Sequence, residues 1–393
     1  MDAGTARTDA QAAFRQELRS FTKAHGTSQA VRALLDDPAG YDPAVWELMA
    51  KQLGLPGLIV GEEHGGSGAG AAEAVIALEE LGAVLLPSPF LPTLLGTVAV
   101  LAGGRAAERI LPAVAAGQQR LALAGADSAT TGPATTGPAS TGLASTGGEV
   151  SATADGDGGW RLTGQVPCVL DGAGASLILV VASTGEGPAL FAVPAGAPGL
   201  TAVALETLDL TRREARLSFD AVPAELASDP AQAAWLIRVR ALAALAVAAG
   251  SLGGIRRCLE MATGYAKERT AFGRTIGSFQ AVKHMCADML VDLECTRAAV
   301  EHAAKVADQA GESGPPGEAA AAALPAACSV AKAYASDAVV RAATTLIQVH
   351  GGLGFTWEHD AHLFYRRAFS DEQLFGDAAA HRAQLAAALV VPA

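Results

Sequence analysis

The sequence predicts an α+β protein in which a helical segment, a β segment and a second helical segment follow one another. Apolar residues recur at helical spacing up to about residue 115 and again after about residue 230. Between them lie short apolar runs bounded by Gly, Pro or Asp, which is the pattern of strands. Because helices and strands are segregated along the chain, we predict three layers with domains at 1–118, 119–228 and 229–393.

Helical periodicity in the N-terminal domain is interrupted by Gly and Pro. Apolar residues follow one helix face from Phe14 to Phe21, over residues 45–53 and over residues 71–81. A glycine-rich loop over residues 61–70 separates the last two helices, and the Pro-Ser-Pro sequence at 87–89 ends the third.

Short runs in the middle domain predict a small antiparallel sheet. The predicted strands are residues 160–164, 177–181, 189–193 and 215–219. The same domain contains a low-complexity insert, residues 129–148, made of four tandem pentads of Ala, Thr, Ser, Gly, Pro and Leu. Such a composition buries too little apolar surface to order itself, so we predict a flexible loop, with a lid over the site as the alternative.

The C-terminal domain begins with long helices. One continuous buried stripe is predicted where apolar residues follow helical spacing: Val282, Met285, Cys286, Met289, Leu290 and Leu293. The dipeptide Pro315-Pro316 marks the turn before the next helix.

Composition narrows the class of protein. Charged residues are 17% and hydrophobic residues 50%, which is poor in charge for a monomer and predicts surface buried between subunits. The net charge of -12 and the absence of Lys/Arg-rich runs argue against a nucleic-acid-binding protein.

The sequence also bears on the location of the protein. No uninterrupted apolar run has the length of a membrane span, and we expect the N-terminal residues not to form a signal peptide. The five cysteines form no CxxC pair, so we expect reduced, buried thiols in the cytoplasm.

Two motifs carry the functional signal. The first, from Tyr265 to Gln280, is Tyr-Ala-Lys-Glu-Arg-Thr-Ala-Phe-Gly-Arg-Thr-Ile-Gly-Ser-Phe-Gln. The second, from Gln348 to Phe355, is Gln-Val-His-Gly-Gly-Leu-Gly-Phe. Together with the domain order, they make the chain, from about residue 14 to Arg382, resemble the acyl-CoA dehydrogenase superfamily. The resemblance implies that family's fold, with a C-terminal four-helix bundle, and an FAD that lies across a subunit interface.

The resemblance also assigns flavin contacts. In the first motif, Arg269 would meet the pyrophosphate of an FAD bound mainly by a neighbouring subunit, with Phe272 and Gln280 completing the contact. A guanidinium fork pairs well with phosphate oxygens, and a phenyl ring offers an apolar face. The alternative for an isolated arginine is a solvated helix residue, but the sixteen-residue pattern disfavours it.

The second motif contributes Gln348, Gly351 and Gly352 to the same cofactor. Glycine lets the backbone come against a ligand without a Cβ. A helix C-terminal turn also explains glycines, and the two explanations are compatible. His350 is predicted to pack in the interior and not to act as an acid or base.

The middle domain departs from the family pattern. A Thr-Glu-Pro-x-Ala-Gly-Ser-Asp loop is usual, whereas this chain has Ala124-Gly-Ala-Asp-Ser-Ala. Cys168 stands where an aromatic residue usually covers the flavin, and Leu170 where a threonine usually bonds to it. Flavin contacts from this domain are therefore expected to be fewer.

The family's catalytic glutamate is missing from both of its usual positions. Removing the α-proton of a thioester requires a carboxylate close to that carbon. The first position corresponds to Phe375 in Leu374-Phe-Gly-Asp377, and the second to Ala243 in the pair Ala243-Ala244. Neither residue is an acid.

Asp377 is the best surrogate base, with Glu372 and Asp371 one turn earlier. The alternative for all three is a polar cluster at a helix end, where Asp377 caps the last helix. In the family the backbone N–H at the glutamate position holds the thioester carbonyl. Phe375 keeps that N–H, so this contact does not depend on its side chain.

These residues predict FAD-dependent α,β-dehydrogenation of an acyl-CoA thioester, with electrons passing to an electron-transfer flavoprotein. The Leu-Phe-Gly-Asp and His-Arg ending resembles the actinobacterial branch, which implies a homo- or heterotetramer with a paralogous subunit and bulky, steroid-like thioesters. The alternatives are a non-catalytic partner subunit and a flavin enzyme with altered chemistry. Glu358-His-Asp-Ala-His362 has metal-ligand residue types, but the family uses this stretch for packing, so we expect no metal.

Overall fold

Five stretches of the chain are described by the computed structural model: residues 9–126, 149–155, 159–228, 234–311 and 315–390. The pentad insert, which the sequence predicts to be flexible, lies outside the described residues.

The N-terminal domain consists of six helices. They are α1 (Asp9–His25), α2 (Ser28–Ala33), α3 (Pro43–Lys51), α4 (Ala71–Gly82), α5 (Phe90–Gly103) and α6 (Ala107–Ala115). The predicted helices over 45–53 and 71–81 correspond to α3 and α4. Helix α3 begins where Asp42 accepts a hydrogen bond from the Ala44 N–H and Pro43 occupies the first helical position. The glycine-rich loop contains a short 3₁₀ turn, Glu62–His64.

The described part of the middle domain is a sheet of seven strands. They are β1 (Leu121–Ala124), β2 (Val150–Ala154), β3 (Trp160–Leu170), β4 (Leu177–Thr184), β5 (Gly187–Pro194), β6 (Leu200–Ala204) and β7 (Glu214–Leu226). The order is β1-β4-β2-β3-β7-β5, β6 pairs with β7, and β5 also pairs with β4. All four predicted strands are present. The sheet is not wholly antiparallel, because β1 and β4 run parallel and the long connection between them allows it.

The C-terminal domain contains five helices and a hairpin. They are α7 (Ala234–Glu268), β8 (Thr270–Ala271), β9 (Arg274–Thr275), α8 (Gln280–Gln309), α9 (Pro315–His350), α10 (Ala361–Gln373) and α11 (Ala378–Val390). Helices α7 to α10 form the four-helix bundle, and α11 packs on α9. The predicted α8 stripe is only partly buried: Met289 and Leu293 are buried, whereas Leu290 is exposed. The domain limits after 118 and 228 stay a prediction, and both fall between regular elements.

Helix α7 runs through the interior of the protein. Among the described helices, it is the one that is long and apolar enough to cross a membrane, although its sequence contains charged residues. In this fold 78% of its apolar window is buried against other helices, which is the environment of a core helix. The cysteines form no disulfide among the described residues; Cys258 and Cys328 are buried as expected, but Cys168 and Cys295 are exposed.

Two glutamates of α4 hold the N-terminal domain on the bundle. Glu79 and Glu80 are almost fully buried, and Arg15 of α1 bonds to both, at 2.6 and 2.7 Å. From the bundle, Arg256 of α7 lies 2.7 Å from Glu80, and Arg297 of α8 lies 3.3 Å from Glu79. Although burial raises the pKa of Glu79, the Coulombic attraction of Arg15 and then of Arg297 and Arg256 holds it below its usual range.

We expect Glu79→Gln to lower the free energy of unfolding by about 3 kcal/mol, because it leaves buried guanidinium groups without their counter-charge while keeping the side-chain volume. Urea denaturation of the purified protein measures this. Glu47→Gln is the matched control, since Glu47 forms an ion pair with Lys51 on an exposed face of α3. Equal stability of the two variants would contradict a structural role for the buried cluster.

Candidate functional site

The hairpin between α7 and α8 presents an aromatic side chain to solvent. Its two turn residues, Phe272 and Gly273, both have left-handed backbone conformations, with φ of 53° and 78°. Such a two-residue turn suits glycine but strains a bulky residue. The Phe272 ring is nevertheless 94% exposed and lies edge-on to Phe279, at 6.1 Å between ring centroids. A strained and exposed aromatic residue indicates a binding surface.

Arg269 and Gln280 flank this hairpin. The Arg269 N–H bonds to the Tyr265 carbonyl at 2.9 Å, and the Arg269 carbonyl accepts from the Ile276 N–H at 2.8 Å, so its backbone is fixed. Its guanidinium is exposed and forms no ion pair with any residue that the structure describes. Gln280, the first residue of α8, is exposed and lies 2.7 Å from a ring nitrogen of His284.

The second motif forms the end of α9 and a 3₁₀ turn, Gly351–Phe355. Gln348, Gly351 and Gly352 are exposed, and a Cβ on either glycine would meet open space. Gly351 has a φ of 59° and ends the helix, but no left-handed φ requires glycine at Gly352. No contact within the described residues requires glycine at Gly352, and the predicted approach of the cofactor to this position stays a prediction.

His350 joins the two motifs. Its buried ring stacks on Tyr265 at 4.3 Å and touches His359 at 4.4 Å, and its Nδ1 lies 2.9 Å from the Leu346 carbonyl. Burial lowers the pKa of His350, which favours the neutral ring in this stack. The structure thus brings the first and second motifs together and places His350 in the packing role predicted for it.

The loop between α10 and α11 contains Phe375. Phe375 is half-buried against the helical core, and its backbone is left-handed, with a φ of 56°. His381 of α11 lies 3.0 Å from the Phe375 carbonyl through Nε2, and because a carbonyl only accepts, this nitrogen carries the proton. Burial and the nearby Lys332 ammonium lower the pKa of His381, in keeping with a neutral ring. The Phe375 N–H has no hydrogen-bond acceptor among the described residues.

Lys332 of α9 also fixes the loop between α10 and α11. Its ammonium is completely buried and donates to the carbonyls of Asp371, Glu372 and Gly376 at 2.9 to 3.0 Å, and to Ser336 Oγ at 2.8 Å. These carbonyls end α10 and continue into the loop, so the ammonium serves as the cap of that helix. Sequence reasoning missed Lys332. The available signal was a lysine inside an otherwise apolar stretch of a long helix.

The carboxylates considered as the catalytic base differ in how many hydrogen bonds and ion pairs they already form. Asp377 Oδ1 accepts from the Ala380 N–H at 2.7 Å and so caps α11, whereas Oδ2 has no partner among the described residues. Asp371 is buried, pairs with Arg212 and accepts from Ser251 at 3.2 Å. Glu372 is half-buried, and Ala243 lies in the interior of α7. The assignment of Asp377 as the base stays a prediction, and the observed cap is its alternative.

The sheet positions that depart from the family pattern offer few polar side chains for a ligand. Cys168 is exposed, and its Sγ lies 3.0 Å from Glu214. Leu170 packs against the helical core. Next to it, Asp171 is 8% exposed and its Oδ2 has no partner in the described part of the chain. Burial raises the pKa of Asp171 to about 6, against the opposing attraction of Arg120.

No cluster of three or more His, Cys, Asp or Glu side chains suited to a metal ion occurs within the described ranges. The histidines of the Glu358–His362 stretch make packing contacts: His359 Nδ1 accepts from the Ala361 N–H at 3.1 Å, and His362 stacks on Trp357.

Comparison with known proteins identifies the family. Residues 8–118 match the sequence model for the acyl-CoA dehydrogenase N-terminal domain, and residues 240–390 match that for the C-terminal domain. The chain is 32% identical to acyl-CoA dehydrogenase IpdE2 of Mycobacterium tuberculosis, over 92% of this chain and 91% of that protein. The chain belongs to the acyl-CoA dehydrogenase family.

Solved structures agree with this assignment. A variant of the Tcur3481–Tcur3483 steroid acyl-CoA dehydrogenase is 30% identical with a TM-score of 0.83, and the match covers 97% of this chain and 98% of that one. The ChsE4–ChsE5 complex of Mycobacterium tuberculosis is 27% identical with a TM-score of 0.85, and the match covers 99% of both chains. The predicted family and fold class are confirmed.

Acyl-CoA dehydrogenases are FAD-dependent oxidoreductases that act on CH–CH bonds, and this chain is a member of that class. Its surface fits such a dinucleotide. Arg269 has no acidic partner among the described residues and suits the phosphates of the cofactor. The exposed Phe272 ring and the open space above Gly352 suit its flat rings.

We expect Asp171→Asn to stabilise the protein by about 2–3 kcal/mol at pH 8 and by much less at pH 4. The pKa of Asp171 in the folded protein, about 6, lies above its ordinary value of 3.8, so ionisation opposes folding. The stability that the protonated carboxyl contributes is present below pH 4 and is lost as the pH rises through about 6. Urea denaturation at both pH values measures the difference.

The exposed residue Asp220 supplies the control, Asp220→Asn. Asparagine also tolerates the left-handed backbone of Asp171, but that benefit does not depend on pH. An equal gain at pH 4 and pH 8 would therefore contradict the raised pKa.

Proposed function

We propose that this chain is a subunit of an FAD-dependent acyl-CoA dehydrogenase that acts on bulky, steroid-like thioesters and in which the Phe375 N–H holds the thioester carbonyl. When bound, FAD supplies the hydride acceptor for the β-carbon. The residues of this chain bind and orient the thioester and hold the cofactor of a neighbouring subunit.

The observation that carries the proposal is the loop around Phe375. Its N–H has no acceptor among the described residues, and its carbonyl is fixed by His381. Lys332 fixes the next carbonyl, that of Gly376. A donor held in place before the substrate arrives costs no reorganisation when negative charge develops on the thioester oxygen. Such a contact makes the α-proton easier to remove, whichever carboxylate removes it.

For the base we propose Asp377. Its Oδ1 is held by the Ala380 N–H, which leaves Oδ2 to take the α-proton. The N-terminus of α11, where this side chain lies, is a favourable place for a carboxylate.

The cofactor contacts of this chain are directed outward. We propose that Arg269 pairs with the pyrophosphate and that the Phe272 ring covers an apolar part of the dinucleotide. The remaining contacts would come from Gln280, Gln348, Gly351 and Gly352. All six residues lie on exposed surface, which supports a cofactor shared with another subunit.

A paralogous subunit is the partner that we propose, in a heterotetramer. Two of the similar structures are named for pairs of gene products, Tcur3481–Tcur3483 and ChsE4–ChsE5. Exposed apolar residues support an extensive partner surface: Val291, Phe355 and Trp357 are all more than half exposed. A homotetramer is the alternative. Electrons would leave to an electron-transfer flavoprotein, and the lack of disulfides among the described residues supports a cytoplasmic location.

A second candidate function is a non-catalytic partner that completes the active site of a catalytic paralogue. Two observations favour it. Phe375 and Ala243 occupy both positions of the family's glutamate, and the carboxylate of Asp371 is already committed to Arg212. In that case the Arg269 surface would still bind cofactor, but no proton would be abstracted in this chain.

The visible spectrum of the purified chain, followed anaerobically during addition of acyl-CoA thioesters, tests the function. Bleaching at the flavin maximum is the expected result. A yellow protein that no thioester bleaches, or a colourless one, would favour the non-catalytic role.

The variant Asp377→Asn tests the base in the same titration. We expect flavin binding and thermal stability to be retained, because asparagine caps a helix as well as aspartate does, and bleaching to be abolished. Near-normal bleaching would remove Asp377 from the mechanism. Asp220→Asn, at an exposed position of the sheet, is the control.

We expect Arg269→Ala to lose most of the bound flavin or the oligomer, because the pyrophosphate loses its charge-assisted partner. The ratio of visible to ultraviolet absorbance measures flavin content, and light scattering measures the assembly. Arg257→Ala is the control on the same helix, since Arg257 pairs with Glu260 of its own helix, at 3.4 Å. Full flavin and full assembly in Arg269→Ala would contradict the motif assignment.

A further inference from the structure

An apolar cavity of about 340 Å³ lies between the N-terminal domain and the bundle. Helices α4 and α5 form one wall, with Val75, Leu94 and Val98, and α7 forms the other, with Leu242 and Leu245. The volume falls at the lower end of the range typical of small-molecule sites, about 300–1,000 Å³.

Helix α7 separates this cavity from the Phe375 loop. Ser251 bonds to Asp371 of α10, so the Ser251 face of α7 looks toward that loop. At about 100° per residue, the cavity residues of α7, which include Arg238 and Leu242, lie roughly 120–180° around the helix from Ser251. On this opposite side a Cβ at Gly253 would collide with the Glu79 carbonyl of α4. The cavity is therefore a site apart from the proposed thioester site.

The cavity wall carries a charged side chain, Arg238, that has no partner among the described residues. Arg238 is half-buried, and within the described ranges its guanidinium donates no hydrogen bond and has no carboxylate within ion-pair distance. Asp308 lies on the same wall, but its carboxylate accepts from the Ala71 and Ala72 N–H groups and caps α4. A partly desolvated guanidinium beside an apolar surface is stabilised by an anion that can form charge-assisted hydrogen bonds.

We propose that this cavity binds a free apolar carboxylic acid, with its carboxylate on Arg238 and its hydrocarbon body among the leucine and valine side chains. The chemistry of the walls selects this class. A polar metabolite would leave its hydroxyl groups without partners on the apolar walls, and a neutral hydrocarbon would leave Arg238 without an anion. The proposal goes beyond the dehydrogenase reaction and does not depend on the identity of the base.

Isothermal titration calorimetry with dodecanoate, below its micelle concentration, tests the site on the full-length protein. We expect one saturable site, a weakening of about tenfold or more in Arg238→Gln, and no such difference between the two proteins for dodecanol. Arg257→Gln, outside the cavity on the same helix, is expected to bind dodecanoate as the unaltered protein does.

A second variant, Ala246→Leu, fills the cavity without touching Arg238 and is expected to weaken dodecanoate and dodecanol alike. Absence of dodecanoate binding, or equal binding by Arg238→Gln, would overturn the proposal. Competition between dodecanoate and an acyl-CoA thioester in the flavin-bleaching titration would also overturn it, because the cavity would then be part of the thioester site. Failure of the bleaching itself, with dodecanoate still bound, would count against the proposed function alone.

Discussion

A lysine ammonium removed from water must find oxygen acceptors, and Lys332 finds them at the end of α10. The three carbonyls it holds belong to the last turn of that helix and to the loop that follows. Because an unsatisfied buried ammonium is so costly, the loop has little freedom to take another path. The left-handed backbone of Phe375 is thereby sustained, and with it the direction of its N–H. The proposed contact between the Phe375 N–H and the thioester carbonyl thus depends on Lys332, a residue that is not part of that contact.

Buried ion pairs fix the positions of the domains, as Lys332 fixes the loop between α10 and α11. Glu79 and Glu80 connect α4 to α1, α7 and α8, and Arg212 connects the segment before β7 to Asp371 of α10. Arg367 of α10 bonds to Asp209 at 2.6 Å from the same segment. Buried pairs of this kind contribute little net stability compared with apolar packing, but breaking one of them is expensive. They therefore fix how the three domains sit against each other, and so where α10 ends.

The sequence was sufficient to predict the family, the order of the domains and most of the long helices and strands. Periodicity located α3 and α4, and alternating apolar runs located β3, β4, β5 and β7. It did not locate the parallel pairing of β1 with β4, because pairing partners far apart in sequence leave no local pattern. It also overestimated the buried stripe of α8, where apolar spacing does not distinguish a core from a surface awaiting a partner.

At the site, the motifs around Arg269 and Gly351 were readable because each is a contiguous pattern. The roles of Lys332 and His381 were not, since their partners are backbone carbonyls about forty residues and six residues away. A backbone acceptor has no residue type, so no pairing of side chains signals it. The fold alone supplies that information.

The exposed Phe272, Phe355 and Trp357 side chains have a consequence for the life of the chain in the cell. A copy that has not met its partner shows the same aromatic surface that quality-control chaperones and proteases recognise in unfolded proteins. Assembly of the proposed heterotetramer would hide that surface and remove the signal. The amount of this protein that accumulates would then be set by the amount of its partner, so that the two are kept in equal numbers without any control over their synthesis.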